Sequence, residues 1–313
     1  LHRIGRLVGL VAEEHDGESG IVPQEDDLEA ASAQCDVLFL ALPAGIASQT
    51  VTKKILDKTV IIDLGADFRL HEGAVYEAWY KKPAASPELL SSAVYGLAEL
   101  HRHDIATSRL VANPGCYTTC SILSLAPLIQ HRLIEPASII IDAKSGVSGA
   151  GRSVGLDTLY CEVNESVKAY GVGTHRHTPE IEQELGIIQQ GPLQVQFTPH
   201  LVPMDRGILA TCYATLKAGV NACAVEAAYR KEYDSETFIK LCGPADLPQT
   251  RWVKGSNRCD IGWVVDERTG RIVVVGVLDN LIKGAAGQAV QNMNIIMGCG
   301  EDCALPVAGG FPL

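Results

Sequence analysis

The residue best placed to do chemistry is Cys116, which follows an Asn113-Pro-Gly turn. The apolar segment 117–125 predicts a buried helix, so the thiol would lie at a helix N-terminus. There the positive end of the helix dipole and the first backbone N–H groups favour a thiolate and can hold an oxyanion. Most free cysteines are small buried apolar residues, and we assign that role to the other nine. For Cys116 the local pattern leaves a nucleophile and a core residue equally open.

A second candidate is the pair His175 and His177 in the segment Thr174-His-Arg-His-Thr-Pro-Glu180. Proline at an early helical position and glutamate in the first turn predict a loop that ends at the start of a helix. One of the two imidazoles could act as a general acid or base. His-x-His is also a metal-binding pattern, but no third ligand stands at a recognisable spacing. We therefore predict no metal site, and a purely structural role for the pair stays open.

Two further segments carry weaker signals. Three glycines between Ser145 and Arg152 follow a predicted strand, where N–H groups could wrap an anion or lie against a flat cofactor ring. Arg152 could clamp a carboxylate or a phosphate, although an ordinary Gly-rich turn explains the same pattern. The stretch from Asp63 to Arg69 places two carboxylates and a guanidinium after another predicted strand. An ion-pair network explains that stretch equally well.

The chain has the size and composition of a folded protein of two domains. Its 313 residues are 47% hydrophobic and 20% charged, and they include no run of about 18 apolar residues that could span a membrane. The 26 basic and 37 acidic residues give a net charge of −11, which disfavours a nucleic-acid partner. The ten cysteines include no CxxC pair matched by a second pair, which disfavours a zinc site. Because no secretory signal pattern opens the chain, we expect a reducing, intracellular compartment.

The elements that must position these residues follow two patterns. Short apolar runs ending in Gly- or Pro-bearing turns predict buried parallel strands at 36–43, 60–65 and 109–113, with a helix at 46–56. Longer β-rich runs at 138–142, 195–198, 208–215 and 271–277 predict a mixed or antiparallel sheet. Helices are predicted at 220–233 and 281–297, the second opened by small residues that permit close packing. We therefore predict an α/β protein whose first domain is doubly wound.

Six motifs occur in series: Asn113-Pro-Gly-Cys-Tyr117, Lys144-Ser-Gly-Val-Ser-Gly-Ala-Gly-Arg152, Thr174-His-Arg-His-Thr-Pro-Glu-Ile181, Phe197-Thr-Pro-His-Leu201, Arg206-Gly-Ile208 and Asp279-Asn-Leu-Ile-Lys-Gly-Ala-Ala286. Together they resemble the N-acetyl-gamma-glutamyl-phosphate reductase family of arginine biosynthesis, over residues 35–300. The resemblance implies a relative of the aspartate-semialdehyde dehydrogenase fold. Residues 1–138 and 283–313 would form a Rossmann-like, doubly wound NADP-binding domain that lacks its first strand and Gly-rich loop. Residues 139–282 would form a mixed α/β domain for substrate and subunit contacts.

The resemblance also implies the reaction, in which NADPH reduces N-acetyl-L-glutamyl 5-phosphate to N-acetyl-L-glutamate 5-semialdehyde and phosphate is released. An acyl phosphate is an activated carbonyl, so the Cys116 thiolate would displace phosphate and form a thioester. Hydride transfer would then give a thiohemiacetal that collapses to the aldehyde. Backbone N–H groups at the helix start would hold the oxyanion. The resemblance assigns the proton transfers to the His-Arg-His segment, and we expect His177 to carry them, with His175 as its competitor.

By the same resemblance, further residues are expected at the site. The substrate would be bound by Arg69, Ser145, Arg152 and Tyr170, and NADP(H) by Pro43, Ser148, Gly149 and Asn280. The expected ligand is a small-molecule acyl phosphate, without nucleic acid or membrane. The expected assembly is a homodimer or a homotetramer.

Two departures from the family pattern bear on function. Residues 1–20 contain no strand followed by the Gly-x-x-Gly-x-x-Gly turn that cradles the cofactor pyrophosphate. The usual Cys-Tyr-Pro-Thr is Cys116-Tyr-Thr-Thr119, from which we expect little change. A sister enzyme acting on aminoadipyl or aspartyl phosphate, and a non-catalytic subunit without its NADP anchor, stay open as alternatives. The expected location is the cytoplasm, or a plastid or mitochondrion if a segment is missing in front.

Overall fold

The computed structural model describes residues 7–10, 28–151, 155–243 and 246–310. These residues form two compact units. The first comprises the described residues within 1–114 and 288–303, and the second those within 115–287 and 304–310. In the described part of the chain, no helix combines the length and apolarity needed to cross a membrane.

The first unit is built on a five-stranded sheet with the order β1-β2-β3-β5-β4. Every described pairing in it is parallel. The strands are β1 Leu7–Leu10, β2 Val37–Leu40, β3 Val60–Asp63, β4 Ala93–Tyr95 and β5 Leu110–Ala112. Its helices are α1 Leu28–Ser32, α2 Ala47–Thr50, α3 Lys53–Leu56, α4 Gly73–Tyr80, α5 Pro87–Ser92 and α6 Ala98–Ile105, together with most of the C-terminal helix Gly287–Ile296.

Both faces of this sheet are apolar, because successive side chains of a strand point to opposite faces. On one face, Leu38 and Ile61 belong to a buried cluster that includes Ile55 of α3. On the other face, Val37 and Ile62 belong to a separate cluster. That second cluster includes Ile105 of α6 and Ala289 of the C-terminal helix. A parallel sheet with helices on both faces confirms the predicted doubly wound architecture.

The second unit is built on a seven-stranded mixed sheet with the order β10-β11-β12-β9-β6-β8-β7. Its strands are β6 Ile134–Ser145, β7 Lys168–Ala169, β8 Gln196–Leu201, β9 Ile208–Leu216, β10 Ile239–Leu241, β11 Cys259–Asp266 and β12 Arg271–Leu278. The pairs β6–β8 and β10–β11 are parallel, and the other described pairs are antiparallel. Its helices are α7 Cys116–Gln130, α8 Tyr160–Val163, α9 Thr178–Gln189, α10 Ala222–Tyr233 and α11 Thr250–Val253.

Helix α7 is held rigidly in the core of the second unit. All of its residues from 117 to 129 are buried, as expected for a segment without charged side chains. Tyr229 and Tyr233 of α10 donate their hydroxyls to the carbonyls of Ser124 and Leu123, at 2.6 and 2.8 Å. On β12, a Cβ at Gly276 would lie 2.2 Å from the Ser124 hydroxyl, so the glycine lets helix and sheet approach closely. The middle of α7 is therefore fixed against α10 and β12.

The structure differs from the sequence predictions in several elements. The helix predicted at 46–56 is two short helices, because Val51 and Thr52 adopt extended backbone conformations that suit β-branched side chains. Helix α7 runs to Gln130, five residues beyond the predicted end. Strand β11 was not predicted, because its residues do not alternate between apolar and polar. The opening segment, in which no strand with a Gly-rich turn was found, contains β1, and residues 11–27 after it lie outside the described residues.

Candidate active site

Cys116 is the first residue of α7, and Gly115 precedes it as an extended N-cap residue. The first amide to donate within the helix is that of Thr119, which lies 2.9 Å from the Gly115 carbonyl. The amides of residues 116–118 therefore point out of the helix start, as at every helix N-terminus. The Cys116 side chain is half-buried, unlike that of Cys120 one turn later, which is fully buried. The prediction that the other nine cysteines are buried is wrong for four that are exposed: Cys161, Cys223, Cys299 and Cys303. The thiol therefore lies where an ionised sulfur and an oxyanion are both favoured.

The imidazole of His177 packs against the glycine that precedes this thiol. A Cβ on Gly115 would lie 2.4 Å from the His177 Nε2 atom, far inside contact distance. His177 is the N-cap residue of α9, in which Pro179 occupies the second position, as the sequence predicted. Only glycine at 115 lets the imidazole approach the turn this closely. The fold thus brings together Cys116 and the histidine segment, which are 61 positions apart.

Glu180 fastens the same two segments to each other. Its Oε1 atom accepts the Gly115 N–H at 2.9 Å and lies 2.9 Å from the Thr118 hydroxyl, whose single proton is shared with the Gly115 carbonyl at 2.5 Å. The side chain is 1% exposed. From the sequence, Glu180 was predicted only to lie in the first turn of a helix, with no part in the site. The available signal was a carboxylate three residues after His177, at the start of the helix that this histidine opens.

His175 lies beside His177, with ring centroids 4.8 Å apart. Its Nδ1 accepts the backbone N–H of His177 at 3.2 Å. Burial, with a smaller contribution from the charge of Arg176, lowers the pKa of His175 from 6.5 to about 4. His175 is therefore neutral at neutral pH, and the acceptor role of Nδ1 assigns its proton to Nε2.

Two tyrosines extend this cluster. The Tyr170 hydroxyl donates to the Tyr117 hydroxyl at 3.2 Å, and the Tyr117 hydroxyl donates to the His200 carbonyl at 3.1 Å. The Tyr170 ring also meets the His175 ring edge-on, at 5.5 Å between centroids. Burial raises the pKa of both tyrosines, so both stay protonated hydrogen-bond donors. Tyr170 therefore presents a neutral hydroxyl within the histidine cluster.

The residues expected beside the nicotinamide lie together, next to Ser145. Asn280 Nδ2 donates to the Ser148 hydroxyl at 3.0 Å, and Asn280 Oδ1 accepts the Gly207 N–H at 2.7 Å. A Cβ on Gly149 would lie 2.3 Å from the Ser145 hydroxyl oxygen and 3.7 Å from Asn280 Nδ2. The structure thus brings these four predicted residues together around one glycine turn.

The segment after Asn280 returns to the thiol. A π-helical turn, Ile282–Ala286, places Gly284 against Cys116, and a Cβ on Gly284 would lie 2.7 Å from the Cys116 Cβ. The Gly284 N–H donates to the Asp279 carbonyl at 2.9 Å. The close approach predicted for the small residues of this segment is therefore confirmed at Gly284.

Pro43 and Arg69 belong to the first unit, after the carboxyl ends of β2 and β3. Asp67 holds the loop that contains Pro43, since it accepts the N–H groups of Gly45 at 2.7 and 2.9 Å and of Ser48 at 2.9 Å. Arg69 is 7% exposed, and its Nη2 donates to the Leu64 carbonyl at 2.9 Å. Arg152, predicted to contact the substrate, lies outside the described residues.

The carboxyl edge of the first sheet fits a dinucleotide. In register, Asp63 of β3 stands between Leu40 of β2 and Ala112 of β5, so the loops after these three strands meet at one edge. Open α/β sheets bind dinucleotides at such an edge. Burial, opposed by the Gly65 N–H and the charge of Arg69, raises the pKa of Asp63 to about 7. Its Oδ2 atom has no hydrogen-bond partner within the described residues, so this edge offers a ligand an unused polar atom.

Among the described residues, no three His, Cys, Asp or Glu side chains are grouped to hold a metal ion.

Known proteins match the chain along most of its length. Residues 3–108 match the model of the semialdehyde dehydrogenase NAD binding domain, and residues 116–280 match that of the semialdehyde dehydrogenase dimerisation domain. The N-acetyl-gamma-glutamyl-phosphate reductase of Lachnoclostridium phytofermentans is 52% identical over 92% of this chain and 83% of its own. That of Syntrophobacter fumaroxidans is 53% identical over 93% of this chain and 84% of its own.

Solved structures show the same fold. Aspartate semialdehyde dehydrogenase II from Vibrio cholerae matches with a TM-score of 0.66 and 18% identity, over 88% of this chain and 82% of that one. Aspartate semialdehyde dehydrogenase with NADP from Candida albicans matches with a TM-score of 0.55 and 16% identity, over 84% and 77% of the two chains. Together with the sequence matches, this places the chain in the N-acetyl-gamma-glutamyl-phosphate reductase family of the semialdehyde dehydrogenases.

Proposed function

We propose that this protein uses NADPH to reduce N-acetyl-L-glutamyl 5-phosphate to N-acetyl-L-glutamate 5-semialdehyde, with release of phosphate. One observation carries the proposal: the half-buried Cys116 begins helix α7, and the His177 imidazole packs on the glycine directly before it. A thiol and an imidazole at a helix start form the arrangement that acyl transfer to sulfur requires. The named relatives, more than 50% identical, favour this acyl phosphate over aspartyl or aminoadipyl phosphate.

Cys116 is the nucleophile. Its sulfur forms a bond to the acyl carbon, the bond from that carbon to the phosphate oxygen breaks, and a thioester remains. Backbone N–H groups at the start of α7 stabilise the oxyanion of this step, since the positive end of the helix dipole is there. NADPH, when bound, supplies the hydride that converts the thioester carbonyl to a thiohemiacetal. The carbon–sulfur bond then breaks, which frees the aldehyde and returns the thiolate.

His177 moves the protons. It takes the proton of the Cys116 thiol. It then donates a proton to the thiohemiacetal oxygen after hydride transfer, and it removes that proton when the aldehyde forms. The burial-lowered pKa of His175 supports this choice, because an imidazole with a pKa of about 4 holds almost no proton to donate at neutral pH. His175 instead accepts the His177 backbone N–H and so orients the start of α9.

The remaining predicted contacts are part of the same proposal. Arg69, Ser145, Arg152 and Tyr170 contact the substrate, and Pro43, Ser148, Gly149 and Asn280 contact NADP(H). The hydrogen bonds among Ser148, Asn280 and Gly207 support the cofactor assignment, because they hold the glycine turn in one conformation. We assign residues 1–138 and 283–313 to dinucleotide binding and 139–282 to substrate and subunit contacts. These functional assignments differ from the compact units, in which α7 belongs with the second sheet.

We also propose that the protein is a homodimer or homotetramer of the cytoplasm. Supporting the assembly, several large apolar side chains of the second unit are exposed, including Leu156 at 70% and Tyr160 at 78%. Such surface is usually covered by a partner. Supporting the compartment, all ten cysteines are free thiols, and the proposed chemistry needs Cys116 reduced.

The experiment is the reverse reaction, in which NADP and phosphate oxidise N-acetyl-L-glutamate 5-semialdehyde. We expect NADPH to form only when phosphate is present. Cys116→Ser should abolish turnover and leave the NADPH dissociation constant nearly unchanged, and Cys223→Ser, which alters an exposed cysteine, should be active. Turnover by Cys116→Ser, or a preference for aspartate semialdehyde, would refute the proposal. Failure of the wild-type chain to bind NADPH would favour the non-catalytic alternative.

A further inference from the structure

An open cavity of about 360 Å³ lies in the second unit, between the loop after β8 and helix α11. The loop contributes residues 203–206, and the helix side contributes Thr250, Arg251 and Lys254. Of the described residues proposed to contact substrate or NADP(H), none lines this cavity. Its volume is in the range of cavities that hold small molecules. The cavity is thus no part of the site proposed above.

Cations dominate the lining, although the chain as a whole is acidic. Arg206, Arg251 and Lys254 face one carboxylate, that of Asp205, in a chain whose net charge is −11. Arg251 and Lys254 are exposed, so a ligand can reach both from solvent. The planar guanidinium and the compact ammonium both bind phosphate oxygens well. The lining therefore favours an anion.

One buried carboxylate holds both sides of the cavity in place. Asp279 is fully buried, accepts Arg206 Nη2 at 3.1 Å and accepts the Gly255 N–H at 2.7 Å. Arg206 belongs to the loop, and Gly255 directly follows Lys254. Asp279 offsets part of the Arg206 charge, but three cations against the two carboxylates of Asp205 and Asp279 leave a positive balance. A site whose walls are fixed in advance loses less entropy when it binds a ligand.

The carbonyl groups of the loop are engaged away from the cationic side chains. The Asp205 carbonyl accepts the Ser148 hydroxyl at 2.6 Å and the Ser148 N–H at 3.1 Å. The Met204 carbonyl accepts the Val147 N–H at 2.9 Å. These oxygens, which would repel an anion, are therefore occupied by the glycine turn.

We propose that this cavity binds the phosphate group of a small molecule, through Arg206, Arg251 and Lys254. A phosphate group carries between one and two negative charges at neutral pH, which a single cation would not balance. Inorganic phosphate and a phosphomonoester present the same chemistry, and the experiment below distinguishes them. The inference goes beyond the proposed function and does not depend on it, because it involves no reacting group.

The test measures how fast sulfosuccinimidyl acetate acetylates Lys254 of the wild-type protein, read by mass spectrometry on the peptide that contains it. Glycerol 3-phosphate, inorganic phosphate and sodium chloride are compared at equal ionic strength. We expect at least one of the two phosphate compounds, at about 10 mM, to slow acetylation of Lys254 about fivefold or more, because only the unoccupied site reacts. Lys231, an exposed lysine of α10, should react at the same rate throughout.

Arg251→Gln should raise the half-protecting concentration about tenfold, since it removes one charge-assisted contact. The matched control is Arg271→Gln, which removes an exposed arginine at the start of β12 and should behave as wild type. Stronger protection by glycerol 3-phosphate would identify a phosphomonoester as the ligand, and stronger protection by inorganic phosphate would identify the free ion. Equal slowing at Lys231, protection by sodium chloride, or an unchanged half-protecting concentration in Arg251→Gln would overturn the inference. Because acetylation is read at Lys254 and needs no turnover, the result is independent of the chemistry at Cys116.

Discussion

Gly284 packs its Cα directly against the side chain of Cys116. A Cβ at position 284 would lie 2.7 Å from the Cys116 Cβ and 3.2 Å from its Cα. The glycine is buried in a π-helical turn, and its N–H is held by the Asp279 carbonyl. Single π-helical turns are frequent at functional sites. The backbone of residues 282–286 thus forms one wall of the space in which the thiol can move.

Gly284→Ala should therefore impair turnover by displacing the nucleophile. The added methyl group meets the Cys116 Cα and Cβ, which cannot rotate away as a flexible chain end could. We expect kcat to fall about tenfold or more. Overpacking should also lower the free energy of unfolding by about 1–3 kcal/mol. Steady-state kinetics and urea denaturation measure the two effects.

The control for this substitution is Gly191→Ala. Gly191 also belongs to the second unit, and the nearest atom to a Cβ there is the flexible Gln189 amide at 3.9 Å. Its kinetics should match those of wild type. Full activity in Gly284→Ala would show that the position of Cys116 tolerates movement.

His177→Asn should lower kcat far more than His175→Asn. Loss of the proton carrier should cost about 10²–10⁴ in rate. His175→Asn should cost about tenfold or less, because the asparagine Oδ1 can still accept the His177 N–H that Nδ1 accepts now. The reverse order, measured in the phosphate-dependent assay, would exchange the roles of the two histidines.

His175 should also contribute to loss of stability in acid. The pKa of His175 is about 4 in the folded protein, against the ordinary value of 6.5 that applies in the unfolded chain. Between these two pH values the unfolded chain therefore binds more protons than the folded protein. Above about pH 6.5, His175 therefore does not change the free energy of unfolding. As the pH falls from there toward 4, His175 lowers that free energy progressively. Urea midpoints measured across this window should fall less steeply in His175→Asn than in wild type. Equal slopes for the two proteins would contradict the lowered pKa.

Local patterns were sufficient to predict where Cys116 and His177 stand on their elements. The Asn113-Pro-Gly turn followed by an apolar segment predicted a cysteine at a helix start, and Thr178-Pro-Glu predicted the start of α9. Both signals are short-range, because caps, turns and helix dipoles act within a few residues. The same applies to the parallel strands of the first unit, whose apolar runs are continuous.

Contacts between segments that are distant in the sequence could not be predicted from these local patterns. The bond from Gly115 to Glu180 spans 65 positions, and the contact between Cys116 and Gly284 spans 168. Each depends on how α7 packs within the second unit, which no local periodicity encodes. The loop before the predicted helix 46–56 shows the same limit. Asp67, from the connection after β3, accepts the N–H groups of Gly45 and Ser48, a long-range contact that helix propensity does not encode.

Asp67→Asn should weaken NADPH binding through the loop that carries Pro43. Both carboxylate oxygens accept hydrogen bonds: Oδ1 from the Gly45 N–H and the Tyr76 hydroxyl, and Oδ2 from Gly45 and Ser48. An asparagine can keep its amide oxygen on the N–H groups of Gly45 and Ser48, but it lacks the carboxylate charge and sets its NH₂ group 2.7 Å from the Gly45 N–H, which weakens the hold on the loop. We expect the NADPH dissociation constant, from fluorescence titration, to rise about tenfold, equivalent to about 1.4 kcal/mol.

Two variants calibrate this result. Tyr76→Phe removes one donor and leaves the carboxylate bonded to Gly45 and Ser48, so its effect should be smaller than that of Asp67→Asn. Asp57→Asn changes an exposed aspartate at the end of α3 and should bind NADPH as wild type does. Because the titration needs no turnover, it is independent of the chemistry at Cys116. Equal NADPH affinities for Asp67→Asn and Asp57→Asn would show that the Pro43 loop does not contact the cofactor, and would remove Pro43 from the proposed binding site.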